Sequence, residues 1–202
     1  MDKRVVLIGG QPLAGKSYLA RKLSRKLNLP WISTDTIREQ MRQLVRKEDY
    51  PKLFFFSDPK IKVVDYLTKN SPEKIVEDQN NESAEVWKGV EAIVKTDYAW
   101  GSFIIEGVAI LPSLVKKLTA ELSYVRSVFL IDEDESRIRD LVFARGLWDD
   151  AYKYPDSVKE KEVEWAGAFS KWLVKECEKY SLPVVYIKDR ASYIEEVKRL
   201  AL

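Results

Sequence analysis

Short apolar, β-branched runs alternate along the chain with longer stretches in which apolar residues recur every three or four positions. Arg4 to Ile8 has the character of a buried strand, and Leu19, Leu23 and Leu27 place a helix over Tyr18 to Leu27, with Asn28 suited to end it. Pro30 to Ser33 predicts a second strand. Ile37, Met41, Leu44 and Val45 then give the stripe of a second helix. Ile61 to Leu67 and Val86 to Val94 carry helical spacing, with Ser71-Pro72 as the break between them. Ser102 to Ile105 and Val125 to Ile131 predict two further strands, separated by a helix marked by Leu111, Leu114, Val115, Leu118 and Leu122. A helix carrying Arg137, Arg139 and Arg145 should stop at Gly146. Ser157 to Glu160 has the form of a capping box opening another helix, on which Val163, Ala166, Phe169, Leu173 and Cys177 share a face. Pro183 to Ile187 predicts the fifth strand, and Ile194, Val197 and Leu200 a closing helix. Strands alternating with helices imply an α/β fold with a parallel, doubly wound sheet. Residues 49 to 84, with the aromatic cluster Leu53 to Phe56 and the polar run Glu77 to Ser83, form a helical insertion beside the sheet in this scheme.

Between the first strand and first helix stands Gly-Gln-Pro-Leu-Ala-Gly-Lys-Ser, residues 10 to 17, a match to G-x-x-x-x-G-K-[ST] at every fixed position. Strand, glycine-containing loop and helix together make a phosphate cradle, because free N–H groups at a helix N-terminus carry partial positive charge. Gly10, Leu13, Ala14, Gly15, Lys16 and Ser17 are the candidate nucleotide-binding residues. Lys16 is placed to reach the β- and γ-phosphates and Ser17 to ligate Mg²⁺. Pro12 has no N–H, so the donors begin at Leu13.

Composition narrows the chemistry. The 202 residues suit one domain, and 34 lysines and arginines against 32 aspartates and glutamates give a net charge of +2, which argues against a nucleic-acid partner. The Met1-Asp2-Lys3-Arg4 start runs directly into a strand and no apolar run reaches membrane-spanning length, so a cytoplasmic location, as monomer or homodimer, is expected. Histidine is absent, which leaves proton abstraction to a carboxylate; the single cysteine, Cys177, reads as core filler.

Asp35 sits where the second strand passes into a helix, with Arg38 and Arg42 three and seven residues on. A carboxylate for an acceptor hydroxyl beside guanidinium forks for an anion makes a coherent site, although Asp35 as a plain helix cap fits the same pattern. Glu106 follows an apolar strand directly, where a charge needs a partner: a metal-bound water, a substrate group or Lys16. Asp132 to Glu135 reads as ordinary acidic charge at a helix N-terminus. Arg145 is the first candidate to neutralise the transferring phosphoryl group, with Arg137 and Arg139 as others unless they pair with Glu133, Asp140 or Glu135. The aromatic loop Trp148 to Tyr154, within a segment of about residues 145 to 156, is a candidate lid.

Gly9 to Ser17, Ile32 to Arg38, and Ile104 to Val108 with Pro112 together resemble 2-phosphoglycerate kinase and related small P-loop kinases, from the first residues to about Leu114. The resemblance implies a three-layer P-loop NTPase fold with a five-stranded parallel sheet and a mobile lid. It also implies ATP- and Mg²⁺-dependent phosphoryl transfer to a small hydroxylated metabolite, with 2-phosphoglycerate among the acceptors. It favours Asp35 as acceptor-side acid/base and Arg38 as substrate anchor, with Glu106 serving metal or substrate. The family's histidine after Glu-Gly-Val is Ala109 here, and a chain of this length is expected to hold the kinase core without an accessory domain. Related kinases use sugar nucleotides, antibiotics or nucleosides as acceptors. An ATP-dependent switch is the rival from another class; no Asn-Lys-x-Asp segment is present to read guanine.

Overall fold

A computed structural model describes residues 3–96, 101–147, 151–188 and 192–201. In chain order the elements are β1 (Arg4–Gly10), α1 (Lys16–Leu27), β2 (Trp31–Ser33), α2 (Thr34–Leu44), a 3₁₀ helix (Pro51–Ser57), α3 (Val63–Lys69), α4 (Pro72–Lys95) and β3 (Ser102–Glu106). They continue with α5 (Pro112–Glu121), β4 (Val125–Ile131), α6 (Glu135–Arg145), a short 3₁₀ turn (Ala151–Lys153), α7 (Asp156–Tyr180), β5 (Val184–Tyr186) and α8 (Ser192–Ala201). All five strands are parallel, in the order β2-β3-β1-β4-β5, as expected from strands that alternate with helices.

The period-two alternation of strand side chains divides the core between the two faces of the sheet. Val5 and Leu7 of β1, Phe103 and Ile105 of β3 and Phe129 and Ile131 of β4 pack against α4, α5 and α7. Val6 and Ile8, Ile104, and Val128 and Leu130 face the other way, onto α1 and α8. Each fully buried side chain of this kind contributes about 1.5–3 kcal/mol. Cys177 is one of them, fully buried on α7, and burial pushes its thiol pKa up to about 12.

Parallel strands bring all their carboxyl ends to one edge, where ligands of such sheets bind. The register places Ile8 opposite Glu106 and Ser33 opposite Glu106, so the phosphate loop, the α2 N-terminus and Glu106 emerge at one level.

Several local expectations need correction. The pair Ser157 and Glu160 forms no capping box: α7 starts two residues earlier, after Pro155, whose fixed backbone starts the helix without a side-chain cap. Leu44 lies 85% exposed, because α2 ends there and the buried stripe runs instead through Ile37, Met41 and Val45. The polar run Glu77 to Ser83 lies in the middle of the 24-residue α4, with Glu82 and Ser83 buried.

Candidate active site

The loop between β1 and α1 begins with a tight turn from Gln11 to Ala14: Ala14 N–H donates to the Gln11 carbonyl at 3.3 Å, Pro12 occupies the second position, and Leu13 has φ of 68°. A positive φ at the third position is the mark of a type II turn, where glycine is usual and leucine is strained by about 1 kcal/mol or more. The Leu13 side chain packs onto the α6–α7 cluster. Gly10 is equally constrained, since a Cβ there would sit 2.7 Å from the Leu130 carbonyl oxygen. Sequence reasoning passed over Gln11, which is fully buried and ties the loop to the end of β4: its amide donates to the Asp132 carbonyl at 2.7 Å and accepts from the Asp132 N–H at 3.1 Å. A patterned loop motif does not reveal a contact made across 121 residues.

Lys16, the first residue of α1, is buried and donates its Nζ to the Gln11 carbonyl at 2.7 Å. Burial lowers its pKa to about 8 against the pull of Glu106 and Asp35, while Arg145 lowers it further. Glu106 is 2% exposed and forms no ion pair within 4.0 Å among the described residues. Burial holds its pKa above the usual carboxylate value, opposed by Lys16 and by the nearby Ser17 hydroxyl. Of the partners expected for Glu106, Lys16 acts from a distance. Gly107 is required next to it, because φ is 152° and a Cβ would overlap the buried Thr34 hydroxyl.

Asp132 is not loose helix-end charge. It is buried and holds Arg137 through Nε at 2.8 Å and Nη2 at 2.5 Å, while Asp134 supplies the α6 cap by accepting the Arg137 N–H. Arg139 pairs with Glu160 and stacks on Phe143, so neither arginine takes the acidic partners expected from sequence. Arg145, in the last turn of α6, lines the same cavity as Lys16.

On the opposite wall, the helix cap at α2 is Ser33, whose Oγ accepts the Thr36 N–H at 3.1 Å. Asp35 is therefore free of that task. Its carboxylate lies 3.1 Å from Arg38 Nη1. Arg38 also donates Nε to Glu39 at 3.0 Å, and Nη1 stands 3.7 Å from Glu82. Arg42 is bound by three partners at once: the Leu53 carbonyl at 2.9 Å, Glu39 at 2.8 Å and Glu82 at 2.7 Å. Glu82, buried on α4, is the site residue that the sequence concealed. Burial pushes its carboxyl pKa up, and Arg38, Arg42 and the Phe56 N–H pull it back.

One cavity of about 1070 Å³ joins these groups, from the phosphate loop and Arg145 to Asp35, Arg38 and Glu82. Leu13, Ala14, Gly15, Lys16, Ser17, Asp35, Arg38, Glu106, Arg137 and Arg145 line it, whereas Gly10 and Arg139 do not. Of the candidate lid, residues 148–150 lie outside the described residues; Tyr154 lines the cavity and Tyr152 is 57% exposed. Among the described residues no cluster of three or more His, Cys, Asp or Glu could hold a metal by protein ligands alone, and no helix is long and apolar enough to cross a membrane.

The chain is 31% identical over 183 residues to the 2-phosphoglycerate kinase of Methanopyrus kandleri, a match covering 90% of this chain and 55% of that protein. It is 30% identical over 183 residues to the 2-phosphoglycerate kinase of Methanocaldococcus jannaschii, covering 90% and 57%. The chain is similar to the 2-phosphoglycerate kinases over 90% of its length. It spans a little over half the length of these curated relatives. The crystal structure of shikimate kinase from Bacteroides thetaiotaomicron superimposes with a TM-score of 0.51 at 17% identity, over 98% of this chain and 97% of that one, which shows the small P-loop kinase fold. No protein-family model matches.

Proposed function

We propose that this chain is an ATP-dependent phosphotransferase acting on a hydroxyl of a small anionic metabolite. The observation that carries this reading is the continuity of one cavity, which brings the phosphate loop and Lys16 into the same space as Asp35 and Arg38. Lys16 neutralises the β- and γ-phosphates, Asp35 orients the acceptor hydroxyl and takes its proton, and Arg38 holds the acceptor's anionic group. Arg145 meets charge developing on the transferred group. The segment of residues 49 to 84 is the acceptor-side insertion of this enzyme and residues 145 to 156 its lid.

Glu106 and Ser17 fit a hard divalent cation: a nearly inaccessible carboxylate with a hydroxyl near it is suited to orient water on Mg²⁺. Mg²⁺, when bound, supplies further neutralisation of the phosphates, with Ser17 as direct ligand. A protein site with so few ligands agrees with a cation that arrives on the nucleotide.

The names of the relatives make 2-phosphoglycerate the first acceptor to assay. The test is ADP release from ATP·Mg²⁺ with and without a panel of phosphorylated and unphosphorylated hydroxy acids, followed by identification of the labelled product. Acceptor-dependent ADP release supports the kinase. ADP release that no acceptor stimulates defeats it and leaves the ATP-dependent switch.

A further inference from the structure

The two ends of the cavity differ in charge. At the nucleotide end, Lys16, Arg21, Arg137 and Arg145 outnumber Glu106 and Asp132. At the acceptor end, two guanidiniums, Arg38 and Arg42, face three carboxylates, Asp35, Glu39 and Glu82. The α2 N-terminus adds about half a positive charge beside Asp35, which still leaves that end without net positive charge.

The two arginines are also unequal. Arg42 has its side chain only 10% exposed and gives Nε, Nη1 and Nη2 to the Leu53 carbonyl, Glu39 and Glu82. It is a strut joining α2, the 3₁₀ helix and α4. Arg38 is 27% exposed, its single hydrogen bond is Nε to Glu39, and Nη2 has no partner among the described residues. Nη2 alone is therefore open, which suits one oxygen of one anionic group. The buried face of α4 changes from Ile75 and Val76 to Glu82 and Ser83 and back to Val86 and Trp87, so its polar residues coincide with the stretch that lines the cavity.

We propose that the acceptor is a hydroxy acid carrying a single negative charge, held at Nη2 of Arg38, and that Glu82 sets this limit by cancelling the charge of Arg42. The proposal rests on the kinase reading and deepens it. A molecule with a carboxylate and a phosphate dianion brings about three charges to an end that offers no excess of cations. Glu82 is a positioning and specificity-determining residue here; it need not touch the acceptor.

The test is calorimetric titration of the chain, saturated with ADP·Mg²⁺ at pH 7.5, with glycerate and with 2-phosphoglycerate. The same two probes are applied to the variants Glu82→Gln and Glu39→Gln. The native chain should bind glycerate at least tenfold more tightly. Glu82→Gln should shift the ratio about tenfold toward 2-phosphoglycerate, and the exposed Glu39→Gln about threefold in the same direction. A collapse of the pocket would weaken both probes together and leave the ratio fixed, so the ratio separates electrostatic selection from structural damage. If Glu82→Gln does not fold, the native ratio and Glu39→Gln decide. A native preference for 2-phosphoglycerate, or a ratio unmoved by both variants, overturns the proposal while leaving the kinase standing. If neither probe binds and labelled phosphate goes only to a multiply charged acceptor, the result is the same. If no acceptor of any charge is phosphorylated, the kinase reading falls and this proposal falls with it.

Discussion

The nucleotide end of the cavity is made from backbone and the acceptor end from side chains, and the two ends are held in place by different forces. At the nucleotide end a strained turn, the positive φ of Gly10 and Gly15 and the start of α1 shape the backbone, with Gln11 pinning the loop to β4. At the acceptor end, α2, the 3₁₀ helix and α4 meet through Arg42 and Glu82, a largely buried ion pair. Backbone cradles tolerate change at non-glycine positions, whereas an ion-pair network depends on each member, because loss of one leaves the other buried and unpaired. Recognition of a nucleotide phosphate can therefore persist while the acceptor end diverges.

The largest effect expected from separating the two ends is on transfer itself. Lys16→Met should lower kcat by at least about a thousandfold and weaken nucleotide binding. Asp35→Asn should lower kcat by about a hundredfold to ten-thousandfold while nucleotide affinity stays within about twofold. Steady-state transfer with parallel nucleotide titrations decides the matter. Loss of nucleotide affinity in Asp35→Asn would show that the two ends are not separable.

Next in size is the stability of the acceptor end. Glu82→Ala leaves Arg42 without its buried carboxylate and should cost about 3–5 kcal/mol, read as a lower urea midpoint. Ser17→Ala removes a hydroxyl near the Glu106 carboxylate at the other end and should cost no more than about 1 kcal/mol. Equal losses would contradict the view that side-chain ion pairs carry the acceptor end alone.

The same contrast accounts for what the sequence disclosed. The strand runs, the loop motif and the strand-end position of Glu106 are local patterns, and each is found where its pattern places it. Glu82 lies 40 residues from Arg42 and sits in a run that reads as a solvated helix face, so only the packing of α2 against α4 reveals it. Gln11 and Asp132 are likewise joined by the adjacency of β1 and β4. The Ser157 and Glu160 pattern misleads for the converse reason: Pro155 starts α7 before a capping residue is needed.

Beneath the nucleotide end is one side-chain charge that the backbone scheme does not satisfy. Glu162 on α7 is fully buried, accepts the Leu147 N–H at 3.3 Å through one oxygen, and has no partner for the other among the described residues. Burial raises its pKa from 4.5 to about 7, opposed by the Leu147 N–H and Lys159. The folded state holds this proton more tightly than the unfolded chain, so the contribution is intact below pH 4.5 and is lost as pH rises toward 7. Glu162→Gln keeps the acceptor for Leu147 and should raise stability at pH 8 by about 2 kcal/mol, with little change at pH 4. Thermal unfolding of both proteins across that range checks it, and parallel pH curves would remove Glu162 as the cause.

The smallest expected signal is a fraction of a proton, and it distinguishes the two ends directly. Lys16 in the free protein has its pKa lowered from 10.5 to about 8, chiefly by burial. Its folded pKa lies below its unfolded one, so the free protein gains stability as pH rises between those two values. Nucleotide phosphates beside Lys16 favour its charged form, and binding at pH 8.5 should therefore take up about half a proton or more. Calorimetry in two buffers of different ionisation enthalpy measures this uptake. Lys16→Arg, which stays charged throughout, should abolish it. An acceptor docking on Arg38 meets a guanidinium already charged at every accessible pH and should take up none over the same range. Proton uptake on acceptor binding and not on nucleotide binding would reverse the assignment of the two ends.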